Sequence, residues 1–95
     1  MADYILLMHN DTGPEPDWGL YLKKLQELGV LRGGSAMGGG ECARKLGAVP
    51  PISGHLSGFI RIEADNLQHA RTFLDGNPVF EAGGTVEIRE LPRTD

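Results

Sequence analysis

Hydrophobic and polar positions along the chain follow two different periods, which predict strands and helices in turn. Residues 4–9 (YILLMH) are almost continuously apolar, which is typical of a short strand buried on both faces. In residues 18–28 the apolar side chains recur every three or four positions, as they do on one face of a helix. Gly29 follows this segment directly, and glycine commonly follows the end of a helix.

The second half of the pattern predicts a similar succession, with an additional segment in the middle. Residues 30–37 are expected to form a strand, and residues 57–64 another, in which apolar and polar positions alternate. Between them, residues 41–49 are predicted to form an extra strand that makes a hairpin with the preceding one. Residues 65–76 carry the apolar stripe of a second helix, and residues 84–91 alternate again as a final strand.

This order of elements predicts one domain, residues 1–95, of the α+β class. It corresponds to the ferredoxin-like split βαβ arrangement with an extra hairpin strand, in which one sheet carries both helices on the same face. The first strand is apolar on both faces, whereas two helices can cover only one of them. We therefore expect a homodimer in which a second copy covers the other face, since exposed apolar surfaces favour association.

Composition and charge exclude several classes of partner. The net charge is −4, and no run of Lys or Arg is longer than two residues, so neither nucleic acid nor an anionic membrane surface is expected to bind. The apolar run at the N-terminus is too short for a signal peptide or a membrane span, which predicts a cytoplasmic protein. The three histidines and the single cysteine lack the spacing of metal ligands, so we expect no metal and no cofactor.

Three stretches of sequence resemble a known family: residues 4–11 (YILLMHND), residues 21–37 (YLKKLQELGVLRGGSAM) and residues 62–91, which end in EAGGTVEIREL. Over its whole length the chain resembles the YCII-related family, including its DGPF-type branch. The resemblance implies a dimeric α+β barrel and small enzymes that use a His–Asp pair. Trp18 stands where the family has its histidine, and Asn77 stands where it has its aspartate. The DGPF signature is replaced by residues 50–59 (PPISGHLSGF).

Two residues are candidates for acid/base catalysis in place of that pair. His9 ends the first strand, and histidine is a residue type suited to acid/base chemistry near neutral pH; the alternative is a strand-end histidine bonded to a loop carbonyl. Asp75 lies at the predicted end of the second helix, where apolar neighbours would raise the pKa of its carboxyl. The alternative for Asp75, which the Asp-Gly step favours, is a solvated residue that marks the exit from the helix.

Four further residues are candidates for ligand binding. Trp18 is either a stacking wall for a planar ligand or a core residue, and its helical stripe favours the core. Asn77 both donates and accepts hydrogen bonds, so it either binds a ligand or forms the turn before Pro78. His55, in a glycine-containing loop, and Ser35, in the segment GGSAM, complete the set.

Three functions remain open on the sequence alone. The first is a small enzyme that performs acid/base or elimination chemistry on a small organic molecule in a pocket of the dimeric barrel. The second is a non-catalytic dimer that binds a small molecule in the same pocket and serves regulation or storage. The third is a structural dimer that assists a partner protein. The replacement of both members of the His–Asp pair shifts weight from the first function toward the second. Because other residues can carry acid/base chemistry, the enzyme remains slightly ahead, with the non-catalytic dimer as its alternative.

Overall fold

A computed structural model describes residues 1–13 and 17–93 of the chain. Its elements in chain order are strand β1 (Ala2–His9), helix α1 (Trp18–Glu27), strands β2 (Leu31–Ala36) and β3 (Leu56–Ala64), helices α2 (Leu67–Thr72) and α3 (Pro78–Glu81), and strand β4 (Val86–Leu91). The strands form one antiparallel sheet in the order β2-β3-β1-β4. Because β3 lies between β1 and β2, the sheet has the split βαβ connection. The chain is therefore α+β and compatible with a ferredoxin-like fold.

The first helix begins and ends at residues suited to those positions. Asp17 is extended, and its Oδ1 accepts hydrogen bonds from the backbone nitrogens of Gly19 (2.8 Å) and Leu20 (3.4 Å), which the helix itself leaves unpaired. At the other end Gly29 has φ +73°, a conformation that most other residues avoid. Tyr21 and Leu25 form the fully buried part of the apolar stripe that the sequence predicts.

The core lies on one face of the sheet only. Along β1 the side chains of Tyr4, Leu6 and Met8 are buried, whereas Ile5 and Leu7 between them remain half-buried on the opposite face. The buried residues of the strands form one hydrophobic cluster with the buried residues of the helices. We call the uncovered side the open face of the sheet. The sequence-based expectation that the helices leave one apolar face of β1 uncovered is met by this arrangement.

The predicted extra strand at residues 41–49 is wrong. The structure has no helix or strand anywhere in residues 37–55, which instead form a long irregular connection between β2 and β3. The predicted strand segment is flanked by three glycines at residues 38–40 and by Pro50 and Pro51. In addition, Arg44 Nη1 donates to the carbonyl oxygen of Ala48 at 2.8 Å, which closes a local turn rather than a strand ladder.

The second helix, predicted over residues 65–76, is shorter in the structure, and the prediction did not include the short helix α3 that follows it. Helix α2 ends at Thr72, a turn follows, and the chain reverses at Gly76 with φ +87° before Asn77 begins α3. The Asn77 side chain accepts a hydrogen bond from Phe80 N at 3.1 Å, which competes with any continuation of the earlier helix. Among the described residues, no helix is long and apolar enough to cross a membrane.

Candidate functional site

A cleft of about 620 Å³ lies between the first turns of α1 and the β2–β3 side of the sheet. Its apolar lining comes from both layers: Met8, Trp18, Leu22, Leu31 and Ile60. Phe59 also belongs to the lining, although its pairing with Leu7 puts its side chain on the opposite face of the sheet. Three residues with polar side chains, Asn10, Ser35 and Ser57, also line it. The size and the mixture of apolar walls with a few polar groups are typical of sites for small organic molecules.

The floor of the cleft is open because the strands beneath it carry very small residues. Gly33, Gly34 and Ala36 of β2 and Gly58 of β3 complete the lining. The backbones approach so closely here that a Cβ on Gly34 would lie 2.7 Å from the Phe59 carbonyl oxygen. Glycine is therefore required at position 34 for the pairing of β2 with β3, and the absence of side chains leaves the space above the sheet empty.

Trp18 contacts both the core and the cleft. Its indole packs against the hydrophobic core and lines the cleft at the same time. The ring meets Tyr21 edge-on, with centroids 6.1 Å apart and planes at 71°, a geometry favourable for aromatic pairs. Because Trp18 is the first residue of α1, the Asp17 cap that fixes the start of the helix also fixes the position of the indole.

None of the described residues that line the cleft has an ionisable side chain. The predicted ligand-binding residues Trp18 and Ser35 belong to the lining, whereas His9, His55, Asp75 and Asn77 do not. A proton donor or acceptor with a pKa near neutrality is therefore missing from the walls. The cleft can enclose a ligand and offer amide and hydroxyl groups to it, but its lining alone does not supply acid/base chemistry.

His9 belongs to a separate cluster at the end of the sheet. Its Nε2 lies 3.0 Å from Oε1 of Glu87 on β4, and Oε2 of the same carboxylate accepts from Arg89 Nη1 at 3.0 Å. The hydrogen bond from His9, followed by that from Arg89, holds the pKa of Glu87 below its usual range. An ionised carboxylate only accepts, so His9 Nε2 is the donor of this hydrogen bond.

Two other groups lie beside this pair. The ring of His55 stands edge-on to His9, with centroids 5.0 Å apart and an interplanar angle of 77°. Asp11 accepts two hydrogen bonds from Thr85, to Oδ1 from the backbone nitrogen at 3.0 Å and to Oδ2 from the hydroxyl at 2.7 Å. These two bonds hold the pKa of Asp11 below its usual range. The structure thus brings the predicted residues His9 and His55 together, outside the lining of the cleft.

Asp75 and Asn77 lie elsewhere in the fold. The Asp75 side chain is 85% exposed, and its carboxylate is 3.8 Å from Lys24 Nζ, which also donates to the Asp75 carbonyl oxygen. This placement agrees with the interpretation of Asp75 as a residue that marks the helix exit. Asn77, by contrast, is fully buried as the N-cap of α3, and its Nδ2 has no hydrogen-bond partner among the described residues.

The buried neighbour of Asn77 is Tyr21. The Tyr21 hydroxyl donates to the Phe73 carbonyl oxygen at 2.6 Å and so connects α1 to the turn after α2. Burial raises the pKa of Tyr21, and the nearby Asn77 amide opposes part of this rise. Asn77 therefore sits in the packed interior of the helical layer.

A comparison with protein-family models matches residues 7–94 to the YCII-related domain. The chain belongs to the YCII-related domain family. No curated protein matches it. The match covers nearly the whole chain, and so agrees with the resemblance found in the sequence.

In this YCII-related protein, the two positions of the family's His–Asp pair have different environments. Trp18 lines the cleft, whereas Asn77 is enclosed in the core as a helix cap. Among the described residues, no group of three or more His, Cys, Asp and Glu side chains is arranged to hold a metal ion.

Sequence reasoning missed Glu87 and Asn10. Glu87 alternates with Val86 and Ile88 in the final strand, and this alternation gives no indication of a contact with His9. Its proximity to His9 depends on the pairing of Leu7 with Glu87, and of Met8 with Val86, between β1 and β4. Asn10 follows β1 directly, and no local pattern distinguishes it from other turn residues. Both residues become visible only when the strand register is known.

Proposed function

We propose that this YCII-related protein is a homodimer whose subunits bind a neutral, largely apolar small molecule in the cleft beneath α1. The observation that carries the proposal is the chemistry of the cleft, a space of about 620 Å³ without an ionisable side chain in its described lining. An unpaired ion moved into such a site loses its hydration and gains no counter-charge, which costs several kcal/mol. A neutral ligand avoids that cost.

The three polar side chains of the cleft fit a ligand with one or two hydrogen-bonding groups. Asn10 supplies both an amide donor and a carbonyl acceptor. The hydroxyls of Ser35 and Ser57 donate to the carbonyl oxygens of Ala36 at 2.8 Å and Met8 at 3.4 Å, so each keeps its oxygen as an acceptor. Trp18 provides a flat apolar wall against which an aromatic ring can stack. A planar molecule with a hydroxyl, amide or carbonyl group is therefore the ligand class that this lining favours.

The open face of the sheet supports the homodimer. Ile5 and Leu7 in its centre are half-buried, and Phe59 pairs with Leu7 on the neighbouring strand. At one end of this face Arg93 bonds both Asp3 and Glu63, at 2.9–3.0 Å. An apolar centre surrounded by charged groups that already have partners is the usual composition of a surface that associates with another.

A cleft-filling variant tests the proposed binding. Ala36→Phe places a ring into the cleft from β2, whereas Ala82→Phe adds the same ring at an exposed site outside the lining. In a thermal-shift screen of neutral aromatic and charged metabolites, we expect stabilisation mainly by neutral compounds. This stabilisation should be lost in Ala36→Phe and kept in Ala82→Phe. Equal stabilisation of both variants by the same compound would place the site elsewhere.

The His9–Glu87 pair supports a second candidate function, that of an acid/base enzyme. Glu87 orients the imidazole through Nε2, which leaves Nδ1 free to take a proton from a substrate at the end of the sheet. In this case His9→Gln should abolish turnover without changing the affinity of the cleft for its ligand. Turnover that persists in His9→Gln would exclude this residue as the base.

A further inference from the structure

The long connection between β2 and β3, residues 37–55, exposes apolar side chains that the rest of the chain does not cover. Met37, Leu46, Val49 and Ile52 have between 38% and 82% of their surfaces exposed, and Leu46 is the most exposed of them. The segment contains no helix or strand. We call residues 37–55 the arm and the remaining described residues the body.

The hydrogen bonds between the arm and the body that the structure describes lie at the two ends of the arm. Met37 N donates to the Ser57 carbonyl oxygen at 3.0 Å, and Asn10 N donates to the carbonyl oxygen of His55. Between these ends the described bonds are internal to the arm, such as Cys42 Sγ to the Pro51 carbonyl oxygen at 3.5 Å. The arm is therefore attached at its base and extends away from the core.

The dimensions of the chain show the same extension. Its accessible surface is 6390 Å², whereas a folded monomer of this mass exposes about 5,400 Å². Its radius of gyration is 14.8 Å, against about 12 Å for a compact chain of this length. The excess surface of about 1,000 Å² is close to the roughly 800 Å² that each partner buries in a standard protein–protein interface.

The charge of the arm complements that of the body. Arg44, Lys45 and Glu41 give the arm a net charge of +1. Since the whole chain carries −4, the residues outside the arm together carry −5. A basic arm with apolar side chains is thus suited to an acidic surface, and a second copy of this chain supplies one.

We propose that the arm packs against the body of the second copy in the homodimer. This inference rests on the proposed dimer but not on ligand binding in the cleft. The partner body buries Leu46 and Val49, and it faces the charges of Arg44 and Lys45. The arm thereby adds to the contact made by the open face, and it explains how an irregular segment with exposed apolar residues is stabilised.

Paramagnetic relaxation in mixed dimers tests this contact directly. Cys42 is the only cysteine of the chain and lies in the arm, so a nitroxide attached to it needs no other substitution. Protein at natural isotope abundance that carries the nitroxide is mixed with ¹⁵N-labelled Cys42→Ser protein, which carries no nitroxide. We expect broadening of body amides in the ¹⁵N-labelled copy. A second sample with the nitroxide and ¹⁵N on the same chain, diluted into excess unlabelled protein, reports contacts within one copy.

The outcomes separate the alternatives. In one outcome, body amides far from the base of the arm are broadened only in the same-chain sample. That result means that the arm folds onto its own body, and it overturns the proposal. Absence of such broadening in both samples means that the arm lies in solvent, which also overturns it. Sedimentation of the wild-type protein is measured first. A monomer defeats the dimer and the arm together, whereas a dimer without broadening between copies defeats only the arm.

A substitution in the arm gives an independent measurement. Leu46→Glu should raise the dissociation constant of the dimer by about tenfold or more, because a charged group replaces a buried apolar side chain. The control is Leu20→Glu on the outer surface of α1, where the leucine is 70% exposed. Equal dissociation constants for Leu46→Glu and Leu20→Glu would contradict the arm's role. This test needs no label on Cys42, so it holds even if the nitroxide disturbs the contact.

Discussion

The substitution Asn77→Asp tests whether position 77 is packed interior, and it restores the acid that the family resemblance implies there. The wild-type side chain is fully buried and accepts a hydrogen bond from Phe80 N. At pH 4 the introduced carboxyl is neutral, keeps the acceptor oxygen and replaces the unpartnered Nδ2. The free energy of unfolding should then lie within about 1 kcal/mol of that of the wild type.

At higher pH the same substitution should become strongly destabilising. Burial raises the pKa of the introduced carboxyl in the folded state above the unfolded value of about 3.9. Between these two pKa values the folded state holds the proton that the unfolded state has lost, so stability falls as pH rises, by about 1.4 kcal/mol per pH unit. From pH 5 to pH 7 the loss relative to wild type should be about 2–3 kcal/mol, or roughly 10–20 °C in Tm.

The matched control is Asn66→Asp. Asn66 is also an N-cap, and its side chain accepts from His69 N at 2.8 Å, but the residue is exposed. A carboxylate at that helix start stays hydrated and is mildly favourable, so stability should not fall with rising pH. Urea denaturation followed by the fluorescence of Trp18, the only tryptophan, measures both variants. Identical pH profiles for the two variants would refute the buried placement of residue 77.

Two further predictions concern the sheet. Glu87→Gln should weaken the dependence of stability on acid, because the His9 hydrogen bond lowers the pKa of Glu87 from 4.5 in the folded state. The stabilisation by the Glu87 carboxylate is present above the unfolded pKa and is lost as pH falls through the folded pKa. The denaturation midpoints of the variant and the wild type should therefore converge as the pH is lowered from 5 to 3. Gly34→Ala should destabilise the protein by about 1–3 kcal/mol in urea denaturation. Its Cβ would lie 2.7 Å from the Phe59 carbonyl oxygen, whereas Gly39→Ala meets nothing within 4 Å and should change little.

The regular elements were predictable because local pattern and tertiary packing agree in them. Alternation or continuous apolarity identified β1, β3 and β4, and the stripe from Trp18 to Leu25 identified α1. The YCII-related family was also recognisable from the sequence. The prediction of a strand at residues 41–49 was wrong because a short apolar run forms a strand only where another strand is available for pairing. The prediction placed the end of α2 four residues too late because its apolar stripe continues through Phe73 and Leu74, which lie in the turn before Asn77.

The candidate site was predictable only in part. Trp18 and Ser35 were identified and both line the cleft, but the cleft itself depends on glycines of two strands meeting in register under one helix. The partnership of His9 with Glu87 joins the two ends of the chain, and a local pattern holds no information on contacts of such separation. Asn77 was identified from its place in the family pattern, whereas its burial beside Tyr21 depends on tertiary packing.

The central claim, a cleft that selects neutral apolar ligands, is tested most directly with two fluorescent probes that share one ring system. N-phenyl-1-naphthylamine is neutral, and 8-anilinonaphthalene-1-sulfonate adds a negative charge to a closely similar core. The cleft should bind the neutral probe at least about tenfold more tightly, since burial of an unpaired sulfonate costs several kcal/mol. Ala36→Phe should abolish this binding. Equal or tighter binding of the sulfonate, or unchanged binding of the neutral probe to Ala36→Phe, would contradict the account.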